Sequence, residues 1–414
     1  MRFLYLDAGL VDELGHHANY CRAVRRECHA RGIALRTFAN VMVTQSLADE
    51  LRAYPLFRKS PYPSYDNDPL AGWLNTFETV SETSLEDLRR IGGLAAGDIV
   101  YMNWAWPAHL MALIRWVGTF PADQLPTVIV EVGADTGLEE IGSEGGKPRL
   151  LPRDLRRDAR ALLYRYAARH LPPGPASRLH FITYDPLTSW AFEALLDHPV
   201  KTLPMPLSAV ATPRHRGGAS PITVSVLGHQ RREKGYELMP DVAAALLRDV
   251  RDIRLLVHNP DRVLVHNSET APIAATQDEM RKLAAQDTRV RLDERVADSV
   301  HWRELFESSD LVLCPYDPAR YKFAHSSVAC ESLASGIPAV VPSHTPLAAL
   351  LDRFGKPGAA FEAFTAPSVA AAVKEVLGEF DRYAGLAYEA SKRWNDTQGP
   401  KNAVQAFLDL AESA

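Results

Sequence analysis

Residues 326–341 read S-S-V-A-C-E-S-L-A-S-G-I-P-A-V-V. Ser326 or Ser327 can cap a helix, because a hydroxyl accepts an orphan amide of the first turn. Gly336 supplies a left-handed stop, and Pro338 forbids continuation. Ala339 to Val341 then reads as a short buried strand. A capped helix passing through Gly and Pro into an apolar strand is half of a parallel βαβ unit. Glu331 lies one turn into this helix, too near the core for a purely solvated side chain. In an open α/β sheet, a helix N-terminus beyond a strand's carboxyl end is a place for an anion. The plain alternative is a capped helix with an incidental Glu.

The alternation extends outward in both directions. Strands are expected at Ile222–Leu227, Ile253–Val257, Val290–Leu292 and Leu311–Cys314, with helices between them. In the first half they are expected at Phe3–Leu6, Ala34–Phe38, Asp98–Met102, Val128–Val132 and Leu179–Thr183. A helix from about Ala18 to Arg31 has Cys21, Val24 and Cys28 on one face and is closed by Gly32. Leu203 to Ser220 is rich in Pro, Gly and Ser, as a linker would be. The fold class is therefore α/β, a first domain over 1–205, a linker over 206–220 and a second domain over 221–395. A C-terminal helix over 396–414 has a return to the first domain open to it. Tyr54 to Trp73 breaks the pattern and is expected as a long surface loop. Its Asp66-Asn67-Asp68 mimics a metal-binding Asp-x-Asp but is ordinary turn chemistry.

Composition removes several classes. The 414 residues are 46% apolar and 23% charged, and 46 basic against 51 acidic side chains leave a net charge of −5. Bulk charge therefore offers no attraction for nucleic acid, and no such partner is expected. Four cysteines without a C-x-x-C support neither a disulfide scaffold nor zinc. No apolar run approaches a membrane span, and the N-terminus lacks a signal peptide's apolar core, so the expected location is cytoplasmic. No G-x-G-x-x-G follows a strand, which disfavours a dehydrogenase.

Directly after the strand Ile222–Leu227 comes Gly228-His229-Gln230-Arg231-Arg232-Glu233-Lys234-Gly235. A glycine at a strand end lets backbone approach a ligand, and Arg and Lys beside it bind a diphosphate by fork and by point charge. A solvated charged loop is the bland reading of the same residues.

Taken together and in order, these segments resemble the donor-binding half of GT-B glycosyltransferases, most closely family 4. The carrying residues are Gly228 and Gly235 with Lys234 before the second Gly, and Glu331, Gly336 and Pro338 as E-x4-G-x-P. Trp302 to Tyr316 resembles the family's amphipathic helix followed by its D-(apolar)3-x-P strand, and Leu203-Pro204-Met205-Pro206 its interdomain crossing. The resemblance spans roughly residues 200–345, and the first half only by architecture. It implies two Rossmann-like domains facing across a cleft, donor in the second and acceptor in the first. It further implies that the Gly228 loop, with Arg231 or Arg232 and Lys234, holds the donor diphosphate, helped by Ser326 and Ser327, and that Glu331 takes the ribose hydroxyls. No metal and no cofactor beyond the nucleotide-sugar donor is implied. Phe323 stands where many members have a sugar-contacting Glu, and His229 where an Arg follows the first Gly. Tyr316-Asp317-Pro318 with Tyr321 and Ser326 is instead similar to a bacterial subgroup.

In the first half, Gly15-His16-His17 occupies the first βα loop, which faces the cleft in this fold. Asn103 ends a strand where similar enzymes often place a His; an amide can bind a hydroxyl but is no general base. Glu131 and Asp135 are the acids considered as bases, and Trp104 and Trp106 either stack on sugar or fill core. The expected function is transfer of a hexosyl group from a nucleoside diphosphate sugar to a hydroxyl of a saccharide or lipid-linked acceptor. A GT-B-type sugar-nucleotide epimerase and an inactive scaffold are the alternatives. Peripheral membrane contact stays open, since no clear basic amphipathic helix stands out.

Overall fold

The computed structural model describes residues 1–13, 15–60, 69–133, 135–144, 147–156, 158–171, 178–217, 221–260 and 271–413. Asp66, Asn67 and Asp68 lie outside the described residues. The chain forms two compact units, Met1–Pro206 with Pro400–Ala414, and Leu207–Gly399.

The first unit opens with β1 (Arg2–Leu6), α1 (His17–Ala30), β2 (Ala34–Asn40), α2 (Gln45–Leu51) and β3 (Ala53–Phe57). It continues through α3 (Pro69–Arg89), β4 (Ile99–Met102), α4 (Pro107–Val117) and β5 (Thr127–Glu131). An antiparallel hairpin, β6 (Leu138–Glu144) and β7 (Lys147–Pro152), precedes α5 (Arg160–Ala168), β8 (Leu179–Thr183), α6 (Pro186–Leu196) and β9 (Val200–Thr202). Seven strands form a parallel sheet in the order β3-β2-β1-β4-β5-β8-β9. Every residue of β4 and β5 is buried, as continuous apolar strands covered by helices on both faces must be.

The second unit runs β10 (Ile222–Val226), α7 (Met239–Asp249), β11 (Ile253–His258), α8 (Ala271–Gln286), β12 (Val290–Asp293) and α9 (Ser299–Glu307). Then follow β13 (Leu311–Leu313), α10 (Ser327–Ala334), β14 (Ala339–Pro342), α11 (Pro346–Arg353), β15 (Gly358–Phe361), α12 (Ala366–Gly378) and α13 (Phe380–Thr397). Its six strands are parallel, in the order β12-β11-β10-β13-β14-β15. Val224, Val226, Leu255, Leu313, Val340 and Val369 lie in its core. The segment after Pro206 is pinned to this unit, with Val210 N–H donating to Ser335 Oγ at 3.0 Å and Trp394 Nε1–H to the Leu207 carbonyl at 2.9 Å. The last helix, α14 (Gly399–Glu412), packs on the first unit, where Phe407 stacks on Tyr101 at 4.8 Å.

In both sheets the order of strand connection reverses, between β1 and β4 in one and between β10 and β13 in the other, so each has a switch point beyond the carboxyl ends of those strands. One expectation is corrected here. Tyr54–Trp73 is not loop throughout: β3 occupies Ala53–Phe57 and α3 begins at Pro69. β3 is an edge strand, where Pro55 costs no ladder bond and Tyr54 can stay 57% exposed, so its composition looks loop-like. Pro69 sits in the first turn of α3, where its missing N–H is harmless.

Candidate functional site

In the second unit the loop after β10 meets the N-terminus of α10. Gly228 has φ +94°, and a Cβ there would lie 3.7 Å from both Lys234 Nζ and Val328 Cγ2, and 3.8 Å from the Trp302 ring. Those three side chains therefore converge on the strand end. The Gly228 N–H donates to His258 Nδ1 at 3.2 Å, and His258 Nε2–H donates to the Arg295 carbonyl at 2.9 Å. This pair of bonds sets the neutral Nε2–H tautomer, and burial holds His258 below the usual histidine range. Gln230 Nε2 donates to the Gly228 carbonyl at 2.8 Å and closes the loop.

A 3-10 turn over Arg232–Lys234 ends at Gly235, whose φ is +68°. A Cβ on Gly235 would fall 1.8 Å from the Pro315 carbonyl oxygen, so only glycine lets this loop press against the one after β13. That contact aims Lys234 inward. Its ammonium lies 5.9 Å from the Tyr316 ring and makes no hydrogen bond or ion pair among the described residues. Burial, reinforced by the charge of Arg231, lowers its pKa to about 8. A partly buried cation with no ion-pair partner is poorly compensated, and an anion supplied from outside relieves the cost. The same surroundings push His229 down to about 3, through burial first and then the Lys234 and Arg231 charges.

Ser326, rather than Ser327, is the N-cap of α10, its Oγ accepting from Ala329 N–H at 3.3 Å and donating to Tyr316 Oη at 3.3 Å. Glu331 is 3% exposed and accepts from Trp302 Nε1–H at 3.2 Å. Gly228, Lys234, the cap of α10 and Glu331 thus belong to one region, with Trp302 and His258 as members that the sequence analysis missed. Arg231 and Arg232 are drawn to the surface, paired with Glu233 at 2.9 Å and Glu237 at 2.8 Å. Phe323 is buried.

Among the described residues, His258, Asp293 and His301 offer metal-ligating atoms within 4.8 Å of one another. Both His258 nitrogens are committed to backbone, and Asp293 is bonded by Arg295 at 2.7 Å and Arg291 at 3.1 Å. Committed donors beside two guanidinium groups fit a divalent cation poorly.

In the first unit the residues gather around Asp7, directly after β1. His17, the first residue of α1, places Nδ1 2.9 and 3.0 Å from the two Asp7 carboxylate oxygens, and Asn103 Nδ2 donates to the same carboxylate at 2.8 Å. An ionised carboxylate only accepts, so His17 carries its proton on Nδ1. Gly9 leaves room for this ring: a Cβ there would lie 2.4 Å from His17 Cε1. Asn103 connects to Glu131 through Tyr101, whose hydroxyl lies 3.0 Å from Asn103 Oδ1, 2.7 Å from Glu131 Oε2 and 2.7 Å from Tyr184 Oη. Tyr101 has one proton to donate, so all of these contacts are satisfied together only when Glu131 is itself protonated. Burial raises its pKa to about 7, in agreement with that count.

Gly15 has φ +81°, and His16 stacks on His17 at 4.4 Å and lies 4.6 Å from Trp104. Asp135 stands apart from this network. Arg153 bonds it at 2.6 Å and Arg160 approaches at 3.2 Å, and Arg160 in turn lies between Trp73 and Trp106 at 5.8 and 5.5 Å. His17, Asn103 and Glu131 are therefore one constellation that excludes Asp135. Asp7, Tyr101 and Tyr184 are its members missed in the sequence, where the only signal was an acid ending an apolar run.

No protein-family model matches the chain, and no curated protein matches its sequence. Solved structures do match. Sucrose-phosphate synthase from Thermosynechococcus elongatus superposes with a TM-score of 0.67 at 13% identity, covering 100% of this chain and 98% of that one. Anabaena HepE in complex with UDP-glucose gives 0.62 at 13% identity, covering 100% of both chains. The trehalose-6-phosphate synthase OtsA gives 0.65 at 12% identity, covering 100% of this chain and 99% of that one. At these identities the likeness speaks for the fold alone: the chain has the two-unit GT-B fold, with its two parallel α/β sheets, over its whole length.

Proposed function

We propose that the chain is a glycosyltransferase that moves a hexosyl group from a nucleoside diphosphate sugar to a hydroxyl acceptor. The carrying observation is Lys234, a partly buried ammonium without an ion-pair partner among the described residues, beside Gly228 and the N-terminal end of α10. The donor diphosphate supplies the missing negative charge, shared between Lys234 and the positive end of the helix dipole. Glu331, already oriented by Trp302, takes the ribose hydroxyls. In the reaction the bond from the anomeric carbon to the diphosphate oxygen breaks and one to the acceptor oxygen forms. The acceptor's proton leaves with the diphosphate, whose growing charge a preorganised cation and dipole stabilise without a bound metal. The acceptor, a saccharide or lipid-linked glycan, belongs to the first unit, at the loops after β1 and β4 that carry His17 and Asn103. HepE was solved with UDP-glucose, which supports a donor of this class.

Calorimetric titration with uridine, guanosine and adenosine diphosphates, with and without magnesium, tests the reading. One base binds without metal, and Lys234→Ala and Glu331→Ala each weaken it. If none binds at millimolar concentration to the folded protein, the donor site is wrongly assigned.

A further inference from the structure

The chain carries a net charge of −5, yet residues 147–171, K-P-R-L-L-P-R-D-L-R-R-D-A-R-A-L-L-Y-R-Y-A-A-R-H-L, hold eight Lys and Arg against two Asp. Arg153 and Arg160 are spent on Asp135 and Asp158. Arg156, Arg165 and Arg169 are exposed and make no ion pair among the described residues. The basic excess is therefore a surface property of this stretch, not an internal one.

Apolar side chains share that surface. Leu151 and Leu155 are 48% and 38% exposed, and Leu162 and Tyr166 are 44% and 49% exposed. On α5, Leu162 and Tyr166 lie four residues apart on one line, and Arg165 and Arg169 form the line beside it. α5 itself contains no acid; the exposed acids of the adjoining elements include Glu139, Glu140 and Asp154, on the hairpin and the turn after it, and Glu78 on α3. Tyr166 meets Phe77 of α3 at 6.0 Å, and Leu74, one turn earlier, is 47% exposed. The hairpin base abuts the first turn of α5, since a Cβ on Gly137 would lie 2.8 Å from Ala161 N. Single exposed leucines are ordinary, but a group of them bounded by unpaired arginines is not.

We propose that this face of the first unit, built from α5, the turn after β7 and the adjoining turn of α3, docks on an anionic membrane surface. Leu155, Leu162 and Tyr166 enter the headgroup boundary, and Arg156, Arg165 and Arg169 meet lipid phosphates. Nucleic acid fits less well, because the apolar members are chiefly leucines, which offer no face for base stacking. Among the described residues no helix is long and apolar enough to cross a membrane, so the contact is peripheral. The proposal stands independently of the donor site in the second unit.

Flotation of the full chain with vesicles tests it, using phosphatidylcholine alone and phosphatidylcholine with about one-third phosphatidylglycerol. The protein floats with the anionic vesicles at low salt and is released as salt rises. Arg165→Glu with Arg169→Glu lowers the partition coefficient by at least about tenfold. Leu162→Asp with Tyr166→Asp abolishes whatever binding survives high salt. Circular dichroism checks that both surface variants fold. The proposal is overturned if the parent ignores anionic vesicles or if both variants float like the parent. It is equally overturned if an RNA oligomer is bound through these arginines while vesicles are not.

Discussion

Raising the pH above 8 should weaken nucleoside diphosphate binding, with Lys234 as the cause. In the free protein its pKa is about 8, because burial removes water from the ammonium and Arg231 repels it. A diphosphate beside Nζ opposes both effects and keeps the lysine protonated in the complex. Binding therefore takes up a proton, and affinity falls as pH rises through the free-protein value. With only the protonated form competent, Kd rises roughly twofold by pH 8 and about tenfold by pH 9 relative to pH 7. Proton uptake is about half an equivalent at pH 8. The nucleotide's own terminal phosphate, with a second pKa near ~6, is already ionised over this range. Calorimetry in two buffers of different ionisation enthalpy reads uptake and affinity from one titration. Lys234→Arg keeps its charge throughout, so its affinity is flat with pH; Lys234→Met is flat and weak. A parent protein with flat affinity and no proton uptake from pH 7 to 9 would refute the placement of the phosphate at Lys234.

Two further outcomes follow from the buried groups. Glu131 is raised from 4.5 to about 7 in the folded state, so the native protein holds an extra proton between those values and loses stability as pH climbs through them, by about 3 kcal/mol in all. Glu131→Gln, neutral at every pH, removes this contribution, so between about pH 5 and 8 the parent loses stability relative to the variant in urea unfolding; a parent–variant difference that does not change with pH contradicts the protonated assignment. Gly235→Ala meets a positive φ and a carbonyl oxygen 1.8 Å from the new Cβ, so it destabilises the second unit by at least about 2 kcal/mol. A thermal midpoint equal to the parent's would show that the two loops do not press together as described.

The strands and the site differ in how far they could be read from the residues alone, for a physical reason. Strands such as β4, β5 and β14 are apolar runs buried on both faces, and a short run of that kind between turn signals has few alternatives. β3 was illegible because an edge strand tolerates Pro55 and an exposed Tyr54, the residues of a loop. In the loop after β10 the sequence presents three cations within four residues, Arg231, Arg232 and Lys234, and nothing in composition ranks them. The ranking comes from the 3-10 turn and the glycine lock at Pro315, which turn Lys234 inward and leave both arginines with surface glutamates. Trp302 could not be tied to Glu331 for a similar reason: they are 29 residues apart, and only the sheet order brings α9 beside α10. The same holds for Asp7, whose partners His17 and Asn103 come from the loops after β1 and β4. In each case local sequence supplies the chemical group, while a parallel sheet whose order of connection reverses decides which groups face one another. The candidate pairs in this fold are therefore those brought together beside the switch points, Asp7 with His17 and Asn103 around β1 and β4, and Trp302 with Glu331 around β13, however far apart they lie in the chain.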